Sequence, residues 1–293
     1  MYMDWSGRES LRSCVEEDSQ KRIYPLPQGV EKHKRKVDGS RRARREVCYD
    51  VWREERTMSA ERFRDRKEAG RLLAEELLEY GGRKDAVILA LPRGGVAVGA
   101  EMARILHLPL DVFVVRKLGV PGQEELAMGA IATGGGRVLN RSVIAGLGID
   151  EETIEDVAAK EERELRRREA LFRRGLPPLS IRGKIAIFVD DGIATGATMR
   201  AAIEAARKLE PASIVAAVPV APPSVAGQMA ELVDECIVLR TPDSFFGVGQ
   251  WYEEFPQLGD EEVCSLLQAS AVGEGAKRGG RRKPLQEETP GDR

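Results

Sequence analysis

The stretch Lys184-Ile-Ala-Ile-Phe-Val-Asp-Asp-Gly-Ile-Ala-Thr-Gly-Ala-Thr198 decides the fold of this chain. Its apolar run is too short for a helix and ends on turn residues, so Lys184–Val189 is expected as a buried strand. Two carboxylates, Asp190 and Asp191, emerge directly from that strand. A short loop bearing Gly and Thr follows, and then a helical spacing over Thr198–Leu209. Continuous apolar strands joined through helices are the mark of a parallel sheet covered on both faces. Such sheets bind ligands at the carboxyl ends of their strands, where this acidic loop must lie.

The same alternation extends in both directions. Upstream, Ala69, Leu72, Leu73, Leu77 and Leu78 fall at helical spacing within Arg64–Tyr80, and Gly81-Gly82 ends that helix. Ala86–Leu91 reads as a strand, Gly94–Leu106 as a helix and Leu110–Val115 as a second strand. Downstream, Ser213–Pro219 and Glu235–Leu239 read as strands around a helix over Pro222–Val233. The long interval between holds a hairpin, Met128–Thr133 with Arg137–Asn140, and a highly charged helix from about Asp150 to Arg174. The fold class is therefore α/β, an open, mostly parallel twisted sheet with helices on both faces.

Composition narrows the chemistry. The chain has 293 residues, enough for a large core without a metal or disulfide staple, and a net charge of −2. That balance argues against a surface built throughout for nucleic acid. Four cysteines, Cys14, Cys48, Cys236 and Cys264, form no C-x-x-C pair. With only His33 and His107, the second placed near a helix end, neither a Ser-His-Asp mechanism nor a multi-histidine metal site is expected. No apolar stretch approaches a membrane span, and no secretory segment follows Met1, so a soluble, reducing, cytoplasmic setting is expected.

Both ends differ from the middle. Residues 1–60 lack a sustained apolar period and carry basic residues between 32 and 45, among them Lys34, Arg35, Arg41 and Arg44. They are expected as a basic, disordered extension, with nucleic-acid contact through 32–45 the less favoured reading. Residues 61–270 form the folded domain, and 271–293, rich in Gly and charge, read as a disordered tail.

Each part of the acidic loop has a physical use. Paired carboxylates accept hydrogen bonds from adjacent hydroxyls such as those of a ribose. The amides of Ala194, Thr195, Gly196, Ala197 and Thr198 open a helix, where unpaired donors and the dipole favour a phosphate. Gly196 permits close approach of an anion, and the two Thr hydroxyls add donors. A capped strand-to-helix turn is the plainer explanation of Asp-Asp alone. An acidic magnesium site like that of response regulators or haloacid dehalogenases is another. Neither uses the Thr195-Gly-Ala-Thr198 portion.

Phe188-Val-Asp-Asp-Gly-Ile-Ala-Thr-Gly-Ala-Thr-Met-Arg200 closely resembles the motif with which type I phosphoribosyltransferases bind phosphoribosyl pyrophosphate (PRPP). The resemblance covers about Phe63 to Leu267. It implies that Asp190 and Asp191 hold the ribose hydroxyls and that Ala194–Thr198 hold the 5′-phosphate. It also implies that Pro92, Arg93, Gly94 and Gly95, after the first core strand, cradle pyrophosphate, with a strained or cis peptide there. Arg116 and Lys117, read at the end of the second strand, would stabilise the leaving group. Gly119–Gly136 is similar to the family's mobile catalytic loop on an antiparallel hairpin.

The aromatic segment Phe245–Phe255 has two readings, packing of a C-terminal lid or a hood over 241–258 similar to that of hypoxanthine-type enzymes. On the second, Phe246 and Trp251 bind the base, and Glu253 joins Asp190 and Asp191 as a metal-assisting acid. The resemblance implies Mg2+ as cofactor, PRPP and a nitrogenous base or amine as substrates, and a homodimer. The competing reading is a PRPP-sensing regulator without transferase activity. A hydrolase acting through Asp190 or Asp191 is a third, and it leaves the Thr-Gly-Ala-Thr segment without a role.

Overall fold

The computed structural model describes residues 62–176 and 179–278, with side chains through residue 270. The expectations for the basic extension, its arm at 32–45 and residues 279–293 lie outside the described residues. Within them the chain runs α1 (Arg66–Glu76), β1 (Ala86–Ala90), α2 (Gly94–Leu106), β2 (Leu110–Val112), β3 (Val115–Val120), β4 (Gln123–Ala132) and β5 (Gly136–Leu139). It continues through α3 (Arg141–Leu147), α4 (Glu151–Phe172), β6 (Ile185–Val189), α5 (Ala197–Arg207), β7 (Ser213–Val220), α6 (Pro223–Leu232), β8 (Glu235–Arg240) and α7 (Asp260–Arg278). The last helix runs past the boundary expected at 270.

The main sheet has the order β2-β1-β6-β7-β8, and every adjacent pair is parallel. Alternation along its strands divides the core into two layers. Ile88, Ala90, Ile187, Val189, Val215 and Ala217 face α1, α2 and α7, where they meet Leu73, Val98, Met102 and Val263. Val87, Leu89, Ala186, Phe188, Ala216 and Val218 face Met199, Ile203 and Ala206 of α5 and Met229 of α6. Burial on both faces is why these strands carry almost no polar residues. Small residues allow the closest approaches: a β-carbon at Gly70 of α1 would lie 2.5 Å from the Val98 carbonyl of α2.

The second strand corrects one expectation. It ends at Val112 rather than Val115, because its neighbour β1 ends at Ala90, the register partner of Val112. Phe113 N–H still donates to the Ala90 carbonyl, but Val114 then pairs with Thr133 through both backbone and hydroxyl. That exchange hands the chain to a separate antiparallel sheet, β3-β4-β5. Arg116 and Lys117 therefore lie inside β3 rather than at the carboxyl end of a parallel strand.

The charged helix α4 is an integral cover for this hairpin sheet. Its buried stripe, Ile154, Ala158, Leu165 and Phe172, packs toward β3, β4 and α7. Just past its end Arg173 forms a bidentate pair with Asp111 of β2 at 2.8 and 2.9 Å, tying helix and parallel sheet together. Asp150 caps its first turn by accepting from Thr153 N–H. Hydrogen bonding to the Thr153 side chain, and then to its backbone, holds the Asp150 carboxyl below its usual range. His107, expected near a helix end, is the left-handed C-cap of α2.

Candidate active site

Parallel register brings the ends of β1 and β6 level: Ala90 pairs with Val189, and Leu91 N–H donates to the Val189 carbonyl at 2.9 Å. The loops leaving these strands are therefore neighbours. The first contains a cis peptide between Pro92 and Arg93 and enters α2 at Gly94. The second carries Asp190 and Asp191. A β-carbon at Gly94 would lie 1.9 Å from Asp191 Oδ2, and one at Gly95 would lie 2.6 Å from the Val189 carbonyl. Only glycine allows the two loops to lie this close, so the expected pyrophosphate loop and the expected ribose carboxylates form one surface.

Beyond the acidic pair, Ile193 N–H donates to the Val220 carbonyl at the end of β7, anchoring the loop on the next strand. Gly196 has φ 75° and caps α5 without a side-chain bond. Space is also restricted there, since a β-carbon would lie 3.1 Å from Val225 and 3.2 Å from Met229. Ala194, Thr195, Ala197 and Thr198 are exposed around this turn. Ala197 N–H donates weakly to Thr195 Oγ1 at 3.4 Å. The opening turn of an 11-residue helix thus presents amides and two hydroxyls to solvent, an arrangement suited to an anion.

The two carboxylates differ. Asp190 accepts from Asp191 N–H at 2.9 Å. Burial, and then the negative charge of Asp191, push the Asp190 carboxyl well above the usual range. Asp191 instead faces a guanidinium: Arg66 Nε donates to Asp191 Oδ2 at 2.8 Å, and its NH2 group lies 2.8 Å from the same oxygen. Arg66 NH1 donates to the Pro256 carbonyl at 2.7 Å, and the guanidinium lies 3.8 Å from the centre of the Phe255 ring. The Tyr252 hydroxyl donates to the Asp191 carbonyl at 2.6 Å. Burial, then the Asp191 charge, push the Tyr252 phenol up and keep it a donor.

Arg66, Tyr252 and Phe255 were not among the expected site residues. The aromatic density of 245–255 marked the segment, but nothing local marks Arg66, which reaches its partner across 125 positions of sequence. The segment closes on the domain through Tyr252, packed at a tilt between Phe63 at 5.4 Å and Phe255 at 4.9 Å.

Other expected residues are dispersed. Arg93 is half-exposed and 3.9 Å from Asp260. Arg116 pairs with Glu161 of α4 at 2.5 Å, and Lys117 lies 3.6 Å from the fully exposed Glu125 across the hairpin. Phe246 is 93% exposed, on a loop closed by Gln250, which accepts from Phe246 N–H and donates to the Ser244 carbonyl. Trp251 packs against the core, and its indole N–H is buried without a partner among the described residues. Glu253 is exposed and bonds through its backbone N–H to Phe63. It does not combine with Asp190 and Asp191: among the described residues no group of three or more carboxylate, His or Cys side chains is placed to hold a metal. No described helix is long and apolar enough to cross a membrane.

The chain is 49% identical over 205 residues to "Putative phosphoribosyl transferase Rv0571c" of Mycobacterium tuberculosis H37Rv and, equally, to MT0597 of strain CDC 1551. The match covers 70% of this chain and 46% of each relative, so the chain spans about half the length of the curated relatives it matches. Among solved structures, TT1426 of Thermus thermophilus superposes with a TM-score of 0.64 at 41% identity, over 71% of this chain and 98% of that one. The phosphoribosyl transferase domain model matches residues 60–250, and the chain belongs to that family.

Proposed function

We propose that the protein is a phosphoribosyltransferase that transfers the 5-phosphoribosyl group of PRPP to a nitrogen of a base or amine, releasing pyrophosphate. The observation that carries this reading is the meeting of three surfaces at one sheet edge. They are the Pro92–Gly95 loop, the Asp190–Asp191 pair packed beneath Gly94 and Gly95, and the exposed Thr195–Thr198 turn. A sugar carrying phosphate at one end and pyrophosphate at the other meets all three at once. A monophosphate or a bare metal ion leaves at least one without a partner.

In this reading the amides of Ala194–Thr198 and the Thr hydroxyls hold the 5′-phosphate. The Pro92–Gly95 amides and Arg93 hold the pyrophosphate. The acceptor nitrogen forms a bond to the anomeric carbon while the bond to pyrophosphate breaks, through a state with oxocarbenium character. Catalysis rests on positioning and on stabilising developing charge, with no covalent protein intermediate. Arg116 and Lys117 meet the leaving pyrophosphate when the hairpin closes, which requires Arg116 to exchange Glu161 for the ligand. Phe246 and Trp251 form the acceptor side.

Magnesium would supply positive charge to the leaving group here, with Asp190 and Asp191 as the protein acids that would hold it beside PRPP. Among the described residues no third acid joins Asp190 and Asp191 in a group placed to hold a metal. A cytoplasmic homodimer is the form in which we expect the enzyme to act.

The test is release of pyrophosphate from PRPP and Mg2+ across purine, pyrimidine and amine acceptors, with PRPP binding followed by calorimetry. Acceptor-dependent release is expected. Tight PRPP binding without release for any acceptor supports the sensor reading instead, and absence of PRPP binding overturns both.

A further inference from the structure

The acidic pair emerges from one strand, but its two members are built into different surroundings. Asp191 is enclosed. Its Oδ2 accepts from Arg66 Nε with the Arg66 NH2 group 2.8 Å away, its carbonyl receives the Tyr252 hydroxyl, and Gly94 lies directly over its carboxylate. The Arg66 and Asp191 side chains are only 10% and 15% exposed. The guanidinium itself is fully engaged, with its remaining terminal nitrogen on the Pro256 carbonyl and its face against Phe255. Asp190, in contrast, has no cation paired to it among the described residues. Its carboxylate accepts from the Asp191 amide and neighbours the Asp191 carboxyl.

We propose that Arg66 divides the acidic pair between two tasks, with Asp190 receiving the ribose hydroxyls and Asp191 serving as a strut that positions the Pro92–Gly95 loop and the Tyr252–Pro256 segment around it. The inference rests on the PRPP-binding reading and deepens it. Turning Asp191 toward a ligand would strand a guanidinium in a nearly dry position, where an unpaired charge is strongly disfavoured. It would also release the one side chain that touches both the phosphate-loop glycine and the donor joined to Pro256. Arg66 is then a positioning residue: it lies on α1, holds Asp191, and through Pro256 and Phe255 fixes the acceptor-side segment relative to the ribose carboxylate. Arg suits this task because its planar fork addresses Asp191 and Pro256 in fixed directions, which the single ammonium of Lys does not reproduce.

The test is a double-mutant cycle read as PRPP affinity by calorimetry in the presence of Mg2+, using the full chain. Arg66→Gln, Asp191→Asn and their combination should share one loss. The double variant should bind no more weakly than the worse single variant, because both break the same contact. Asp190→Asn should weaken binding by about 10- to 100-fold, in line with loss of a charged hydrogen-bond acceptor. Its effect should add to that of Arg66→Gln. Arg66→Lys should restore little of the affinity, which separates fork geometry from charge. It also completes the cycle with Asp191→Asn should Arg66→Gln fail to fold.

Losses from Asp191→Asn and Arg66→Gln that add independently, with Asp191→Asn at least as damaging as Asp190→Asn, would overturn the division of tasks. A wild-type protein that binds no PRPP would remove the proposed function and this inference together. Wild-type binding with additive losses removes the inference alone.

Discussion

Gly94 sits against Asp191 so closely that a β-carbon would fall 1.9 Å from its Oδ2. One loop supplies the glycine, the other the carboxylate, and parallel register of β1 and β6 brings them together. Gly94→Ala must therefore displace either the loop or Asp191, and Asp191 is held by Arg66. A cost of about 1–3 kcal/mol is expected, as for an overpacked site. PRPP affinity should fall with it. Thermal denaturation and calorimetry check both, and a variant matching wild type in both would show that the close approach is dispensable.

Asp190 supplies a prediction with a sign. Its carboxyl is raised in the folded protein by burial and by Asp191, so the folded state binds a proton more tightly than the unfolded chain. Stability therefore falls as pH rises from the ordinary aspartate range, near the reference value of 3.8, toward the raised folded value. Asp190→Asn removes that charge. It should be more stable than wild type at pH 8, with the gap closing toward pH 4. PRPP binding should weaken in the same variant. Melting curves of both proteins across that pH series provide the check, and a constant gap would show that Asp190 does not titrate as described.

Arg116 and Lys117 are neighbours in sequence but differ in how firmly they are held. Arg116 and Glu161 are 28% and 15% exposed and join the hairpin to α4, whereas the partner of Lys117 is fully exposed. An exposed pair contributes about 0–1 kcal/mol, and breaking a partly buried one costs more. Lys117→Ala should leave the melting temperature nearly unchanged while lowering turnover. Arg116→Ala should lower both, and its β3 amides should exchange faster with solvent. Hydrogen exchange and steady-state rates separate the two. Equal destabilisation by both would show that the pairs are equivalent.

What the sequence made legible follows from how local each signal is. Lys184–Val189, Gly94–Leu106 and the acidic loop declare themselves in consecutive residues, through apolar runs, turn glycines and capping chemistry. Packing of the Gly94 loop on Asp191 follows from the sheet order once strands of this type are placed side by side. The end of β2 was harder, because Phe113, Val114 and Val115 continue an apolar run that gives no sign of leaving one sheet for another. The length of β1 and the hydroxyl of Thr133 make that choice. Arg66 was beyond reach for the same reason on a larger scale. Its neighbours show an ordinary charged first helical turn, and its role comes from partners far along the chain.

Phe246 is the most exposed large apolar side chain among the described residues, at 93%, and it projects from the loop that follows β8. Because it buries almost nothing, Phe246→Ala should change stability by no more than about 0.5 kcal/mol. An aromatic ring held in solvent on a loop stapled by Gln250 is suited to stacking on a planar ligand, an interaction of about 1–3 kcal/mol per base. Loss of that stacking corresponds to an increase of about 10- to 100-fold in the acceptor KM, with PRPP affinity unchanged. Phe246→Leu should recover part of the area but little of the stacking, separating ring from bulk. Steady-state kinetics with the acceptor and PRPP varied in turn measure this split. An acceptor KM that does not move in Phe246→Ala would assign the acceptor site to other residues of the 241–258 segment, Trp251 first among them.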